Sequence, residues 1–165
     1  MKHNWRIFEL ILSGIQICLG FFILFVVYLT FKDYYLVLWK NPLMDHNAII
    51  EVALRKNLTL VLMSFLSVLS AVFLIKSLTK GWIMSIITWI MFTVILIINT
   101  YRINQLNPKE VDLVSKFITG FIIIFFIAIT IALNNNAFIQ KYNPAKFTWI
   151  TIVVSIVVLT ATKFI

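Results

Sequence analysis

The chain has 165 residues, 62% of them hydrophobic and only 12% charged, against roughly 45 to 50% apolar and about 25% charged in soluble domains. A soluble fold of this length shows much of its surface to water and cannot hide that excess in one core, so its solvent is lipid. The formal net charge of +8 would raise nucleic acid as a partner. The basic residues, however, stand singly or in pairs at the ends of apolar runs, as with Arg55 and Lys56 or Lys141 and Lys146, where they read as interface anchors and not as a nucleic-acid patch.

Five apolar runs read as spans: Ile7 to Phe31, Leu58 to Ile75, Trp82 to Ile98, Phe117 to Leu133 and Phe147 to Ala161. At 1.5 Å per residue the later four cover about 22 to 27 Å of a hydrocarbon layer roughly 30 Å thick, so flanking residues must complete them. The expected fold is an all-α polytopic integral membrane protein, a bundle of about five transmembrane helices forming one domain over residues 1–165. No linker rich in Gly, Ser or Pro divides it.

The first run alone carries an ionisable residue. Lys2 and Arg6 precede it, but it is too long for a signal-peptide core, and Val26 to Tyr35 offers no small-residue cleavage site, so a retained helix is expected. Glu9, Ser13, Gln16 and Gly20 recur at helical spacing and form a polar stripe on a face that should meet protein, not lipid. Glu9 lies about one turn into the run. It reads as an interfacial capping carboxylate paired with Arg6, or as an ion or proton site with Gln16 deeper on the same face. Ser13 and Gly20 read as small residues that let helices approach. The single cysteine, Cys18, allows no internal disulfide.

The first loop, Lys32 to Asn57, opens with Tyr34, Tyr35, Leu36, Leu38 and Trp39 between Lys32 and Lys40, a composition suited to a short interfacial segment. Asp45 stands where an N-cap would start the second helix. His46 beside Asp45, with Glu51 a turn later, is the one grouping with any likeness to a metal site, and with His3 the sole other histidine no metal is expected. Asn57, Leu58 and Thr59 fit the glycosylation triplet, a match expected by chance at the membrane edge. The second span shows a small-residue line at Ser64, Ser67 and Ala71, and the fifth shows Thr148, Thr151, Ser155 and Thr162.

Lys76 to Gly81 is short enough to make an antiparallel hairpin of the second and third spans, with Gly81 able to supply a left-handed turn. Trp89, in mid-span, should pack on a neighbour or face lipid. Asn107–Pro108 with Glu110, and Asn143–Pro144, have the order of helix starts for the fourth and fifth spans. All three prolines, Pro42 included, follow an asparagine outside the spans, so no proline kink is expected. Trp5, Tyr28, Trp82, Tyr101, Tyr142 and Trp149 fall near span ends and read as an aromatic belt. Basic residues are denser on the N-terminal side of the five spans, and every acidic residue except Glu9 lies on the other, which favours the N-terminus inside.

There is no glycine-rich phosphate loop, no nucleophile with a signature base and no carboxylate pair on one face, so neither enzyme activity nor a cofactor is expected. The expected role is a non-catalytic accessory or scaffold subunit of a larger membrane complex. Its partners would be the lipid bilayer and other membrane helices, as hetero- or homo-oligomer, met through the stripe of Glu9, Ser13, Gln16 and Gly20. The alternative is a small oligomeric channel or carrier for a cation or small solute, with Glu9 and Gln16 lining the path.

Overall fold

The computed structural model describes residues 2–38, 45–106 and 113–163. Among them 92% are helical and none is in a strand. The order is α1 (Lys2–Leu38), α2 (His46–Ile75), α3 (Thr79–Leu106), α4 (Leu113–Leu133), α5 (Asn136–Tyr142) and α6 (Lys146–Ala161). Four helices, α1 to α4, are long and apolar enough to cross a membrane, and five spans result if the bent pair of α5 and α6 counts as one. An all-α fold with membrane-length helices is thus what the apolar runs dictate.

The helices are longer than the runs. At about 1.5 Å per residue α1, α2 and α3 reach roughly 40 to 55 Å, beyond the hydrocarbon layer, and the exposed Lys32, Asp33, Glu51, Arg55 and Arg102 stand on the overhangs. There Glu51 and Arg55 pair one turn apart at 3.3 Å. The expected interfacial segment after Lys32 is the last turns of α1 as far as Leu38. Trp39, Lys40 and Pro42 lie outside the described residues, as do Asn107, Pro108 and Glu110. Asp45 occupies the N-cap of α2 in extended conformation, but its side chain makes no capping hydrogen bond. Asn57 is buried, its amide donating to the Ala53 carbonyl.

The turn from α2 to α3 differs in its chemistry from expectation. Ser77, not Gly81, takes the left-handed conformation, at φ 54°. Its N–H donates to Leu74 O and that of Leu78 to Phe73 O, which is the double bond pattern of a Schellman ending with serine where glycine is usual. Gly81 is buried in the first turn of α3, and a Cβ built there would stand 2.3 Å from Leu74 N and 2.4 Å from Phe73 C. Its missing side chain therefore permits backbone contact between the two helices, not a turn.

α3 is the axis of the bundle: α2, α4 and α6 all pack on it, while α1 packs on α2. Trp82, Trp89 and Met91 on α3 are fully enclosed. Trp89 meets Phe92 and Phe126, which seats α4. α6 runs along α3 so that Thr160 lies against the Met91 sulfur and the Thr162 hydroxyl meets that of Thr59 on α2 at 3.1 Å. Only part of the expected α6 line faces inward, for Thr151 is exposed and bonds its own backbone at Phe147 O.

The apolar runs leave residues 134–146 outside any span, and part of that segment is helical. The helical part is α5, capped at its start by the Asn135 side chain, which accepts from Ala137 N. Asn143 ends it in left-handed conformation, φ 42° and ψ 59°, so Asn143–Pro144 closes α5 where it was expected to start the fifth span. Proline beyond such a cap is common because it cannot continue the helix. α6 starts at Lys146 behind Ala145 with no side-chain cap. The two axes meet at 108°.

Gly81→Ala should force the α2–α3 contact apart and lower stability by about 1 to 3 kcal/mol, the usual cost of overpacking. Gly14→Ala, where a Cβ meets nothing within 4 Å, should be neutral or slightly stabilising. Thermal unfolding of the detergent-solubilised protein measures both.

Candidate functional site

Glu9 sits two turns into α1, and its side chain is 0% exposed. Moving an ionised carboxylate out of water costs several kcal/mol unless partners replace the lost hydration. Those partners are three side chains on two helices. Lys141 Nζ, in the last turn of α5, donates to both carboxylate oxygens. The neighbouring Tyr142 hydroxyl donates to Oε1 at 2.6 Å. Arg6 Nη1, on α1 itself, lies 3.4 Å from Oε2.

Arg6 carries the cluster onward. Its guanidinium donates to the Ser77 hydroxyl and to the Ile75 carbonyl at the end of α2, where the helix leaves carbonyls without intrahelical partners. A guanidinium suits that end because the helix dipole is negative there. Ser77 therefore serves twice, turning the chain and accepting from Arg6. The expected Arg6–Glu9 pair is present, but as the longest contact of the group, and Glu9 is a buried carboxylate rather than an interfacial cap near water.

An aromatic wall closes the cluster. Tyr142 stacks on Trp82 and on Phe138, and Phe138 meets Trp5 and Phe8 of α1. Trp82 is enclosed, and its indole N–H donates to Leu133 O, at the end of α4, at 2.8 Å. Trp82 and Tyr142 are thus core residues, against their reading as belt aromatics. Tyr28 and Tyr101 are exposed. Lys141, expected to be an interface anchor, keeps 34% of its side chain exposed while its ammonium reaches inward.

The rest of the stripe faces α2 and α3. Ser13 donates to Glu9 O on its own helix. The Gln16 carbonyl accepts from Ser67 at 2.7 Å, and the Gln16 side-chain oxygen accepts from Ser85 at 3.2 Å. At Gly20 a Cβ would meet Val68 Cγ2 at 2.7 Å and Ser64 O at 3.0 Å. Glu9, Ser13, Gln16 and Gly20 are all buried, covered by α2, α3 and α5 of the same chain, and Ser64, Ser67 and Ala71 are buried opposite them. Cys18, on another face of α1, is exposed.

Sequence reasoning missed Lys141, Tyr142, Ser77 and Ser85 as members of this cluster. The available signal was the run Gln140–Lys141–Tyr142 ahead of Asn143–Pro144, polar residues of a short helix too far from any span centre to be anchors alone. At the opposite end of α6, burial first and then the nearby Arg102 push the Lys163 ammonium below its ordinary value.

Comparison with protein-family models, with curated proteins and with solved structures gives no match, so the chemistry of this chain is read from its side chains alone. In this cluster one carboxylate meets two cations and a phenol, and one of the cations, Arg6, also meets a helix end. The cluster ties α1 to α5 and to the α2–α3 turn.

Lys141→Met leaves Glu9 with Tyr142 and with Arg6 at 3.4 Å and should cost about 1 to 3 kcal/mol, less than for a wholly buried pair because Lys141 reaches water. Adding Glu9→Gln should recover part of that loss. A double-mutant cycle by denaturant titration in micelles reads the coupling, and additive losses would mean the two side chains do not act as a pair.

Proposed function

We propose that this protein is a non-catalytic multi-pass membrane protein acting as an accessory or scaffold subunit of a larger membrane complex. The observation that supports this reading most is the engagement of both Glu9 oxygens by Lys141, Tyr142 and Arg6. The one carboxylate inside an apolar run is occupied in holding the chain together. What the chain offers to others is apolar: Phe117, Phe121 and Ile124 on α4 and Phe147, Val153 and Val157 on α6 are exposed. The stripe is covered within the chain, so a partner helix would meet these outward faces and not the stripe. Membrane helices pack through such faces by van der Waals fit.

The alternative, an oligomeric channel or carrier for a cation or small solute, draws on the polar line that continues from Glu9 through Ser13 and Gln16 to Ser67 and Ser85. Reconstitution into proteoliposomes separates the two. The subunit reading expects no cation flux from the protein alone. It also expects photo-crosslinks from a probe at Phe121 to a defined membrane partner in native membranes, reduced by Ile124→Ala, with Gln16→Leu loosening the chain itself. Robust flux abolished by Glu9→Gln in a still-folded protein would overturn it.

A further inference from the structure

The Gln16 side chain is 0% exposed, and its Nε2 has no hydrogen-bond partner within the protein. The other end of the same carboxamide accepts from Ser85 of α3, which fixes where Nε2 lies, at the junction of α1, α2 and α3. Turning the amide over would give Ser85 to the nitrogen and leave the oxygen alone, so one end of the group lacks a protein partner in either assignment.

The depth of this junction decides what can serve it. Counting about 1.5 Å per residue, Gln16 lies roughly 16 Å beyond Trp5, Ser67 roughly 12 Å inside the end of α2 and Ser85 roughly 9 Å inside the start of α3. All three are in the hydrocarbon layer, where no bulk water reaches and lipid tails offer no acceptor. The neighbours are hydroxyls in unusual number. Arg6 against Ile75, Gln16 against Ser67 and Gly20 against Ser64 define one antiparallel register of α1 and α2, and it sets Ser13 level with Ser70. Gly81 against Leu74 and Phe73 defines the register of α2 and α3, and it sets Ser70 level with Ser85. Ser13, Ser67, Ser70, Ser85 and Thr88 are all buried.

Each of these hydroxyls has already placed its one proton. Ser13 donates to Glu9 O, Ser67 to Gln16 O, Ser70 to Ser67 O, Ser85 to Gln16 Oε1 and Thr88 to Met84 O. What remains in the layer is acceptor lone pairs on the serine oxygens and the two idle N–H donors of Gln16 Nε2. A ligand that completes it must accept from an amide N–H and donate to hydroxyl oxygens at once. A metal cation cannot accept a hydrogen bond, and a simple anion cannot donate one. Water does both, and buried waters sit where protein polar groups lack partners, making about three bonds each.

We propose that the α1–α2–α3 junction is a binding site for a water molecule held inside the membrane, accepting from Gln16 Nε2 and donating to the serine oxygens of α2 and α3. This site stands apart from the Glu9 cluster and does not depend on the proposed subunit role. Its purpose in the fold is to let three helices share a polar layer in which their side chains alone leave the Gln16 amide nitrogen unpartnered.

Water-edited solid-state NMR of the uniformly labelled protein in bilayers tests it, with the Gln16 side-chain resonance identified by its loss in Gln16→Met. The expected result is that water magnetisation reaches the Gln16 amide protons several-fold faster than the backbone amides of Leu12 and Leu19, one turn to either side. Build-up at Gln16 no faster than at Leu12 and Leu19 would overturn the proposal, as would short-range transfer from its amide protons to the carbonyl carbon of another residue. The comparison is internal to the unmutated protein, so it stands even if Gln16→Met folds poorly.

Discussion

The arrangement depends on one buried charge. Glu9 is fully buried, and no single helix supplies its partners: Arg6 is on α1, Lys141 and Tyr142 are on α5, and Ser77, which holds Arg6, is in the α2–α3 turn. Apolar helices in lipid have little hydrophobic reason to associate in one particular way. A buried carboxylate met by α5 and by an Arg6 that is itself held at the end of α2 supplies such a reason, and it costs stability if either contact fails. The same logic explains why the cluster sits at one end of the bundle, where Lys141 can bury its stem and still touch water.

Close approach does the rest. Gly20 on α1 and Gly81 on α3 each remove a side chain where the backbone or side chains of α2 stand within 3 Å of the missing Cβ. α2 answers with Ser64, Ser67, Ser70 and Ala71, all small and all enclosed. Two tight contacts on one helix set two registers, and those registers bring Gln16, Ser67 and Ser85 into bonding distance. α4 and α6 are held differently, by aromatic and aliphatic side chains around Trp89 and Met91, and they expose more of themselves in consequence.

How much of this the sequence shows differs by element. The membrane class, the helical content and the four longer spans follow from run length and apolarity, because lipid leaves few alternatives. The Glu9 stripe was legible as a buried face from spacing alone. Its depth was not, since position in a run says how far a residue is from the membrane edge and nothing about what covers it. Trp82 and Tyr142 were misplaced for the same reason: aromatic residues near span ends occur both in belts and in cores, and only the fold tells which. Ser77 escaped notice because a left-handed serine is uncommon and Gly81, four residues on, was the obvious turn former.

The least legible element, α5, is also the one the site cannot do without. Asn143–Pro144 has the same letters as a helix start, an asparagine cap followed by proline, and in isolation that reading is sound. What reverses it is the left-handed Asn143, whose N–H closes α5 onto Ile139 O at 2.8 Å. Had the chain started α6 there, residues 134 to 142 would be free loop, and nothing would aim Lys141 and Tyr142 at α1. Because it instead ends a short helix and bends 108° before α6, the last turn of α5 crosses the end of the bundle. Thr79 reinforces that placement by donating to Tyr142 O at 3.3 Å. One backbone conformation at Asn143 thus converts a connection into the lid that adds Lys141 to the Arg6 already beside Glu9.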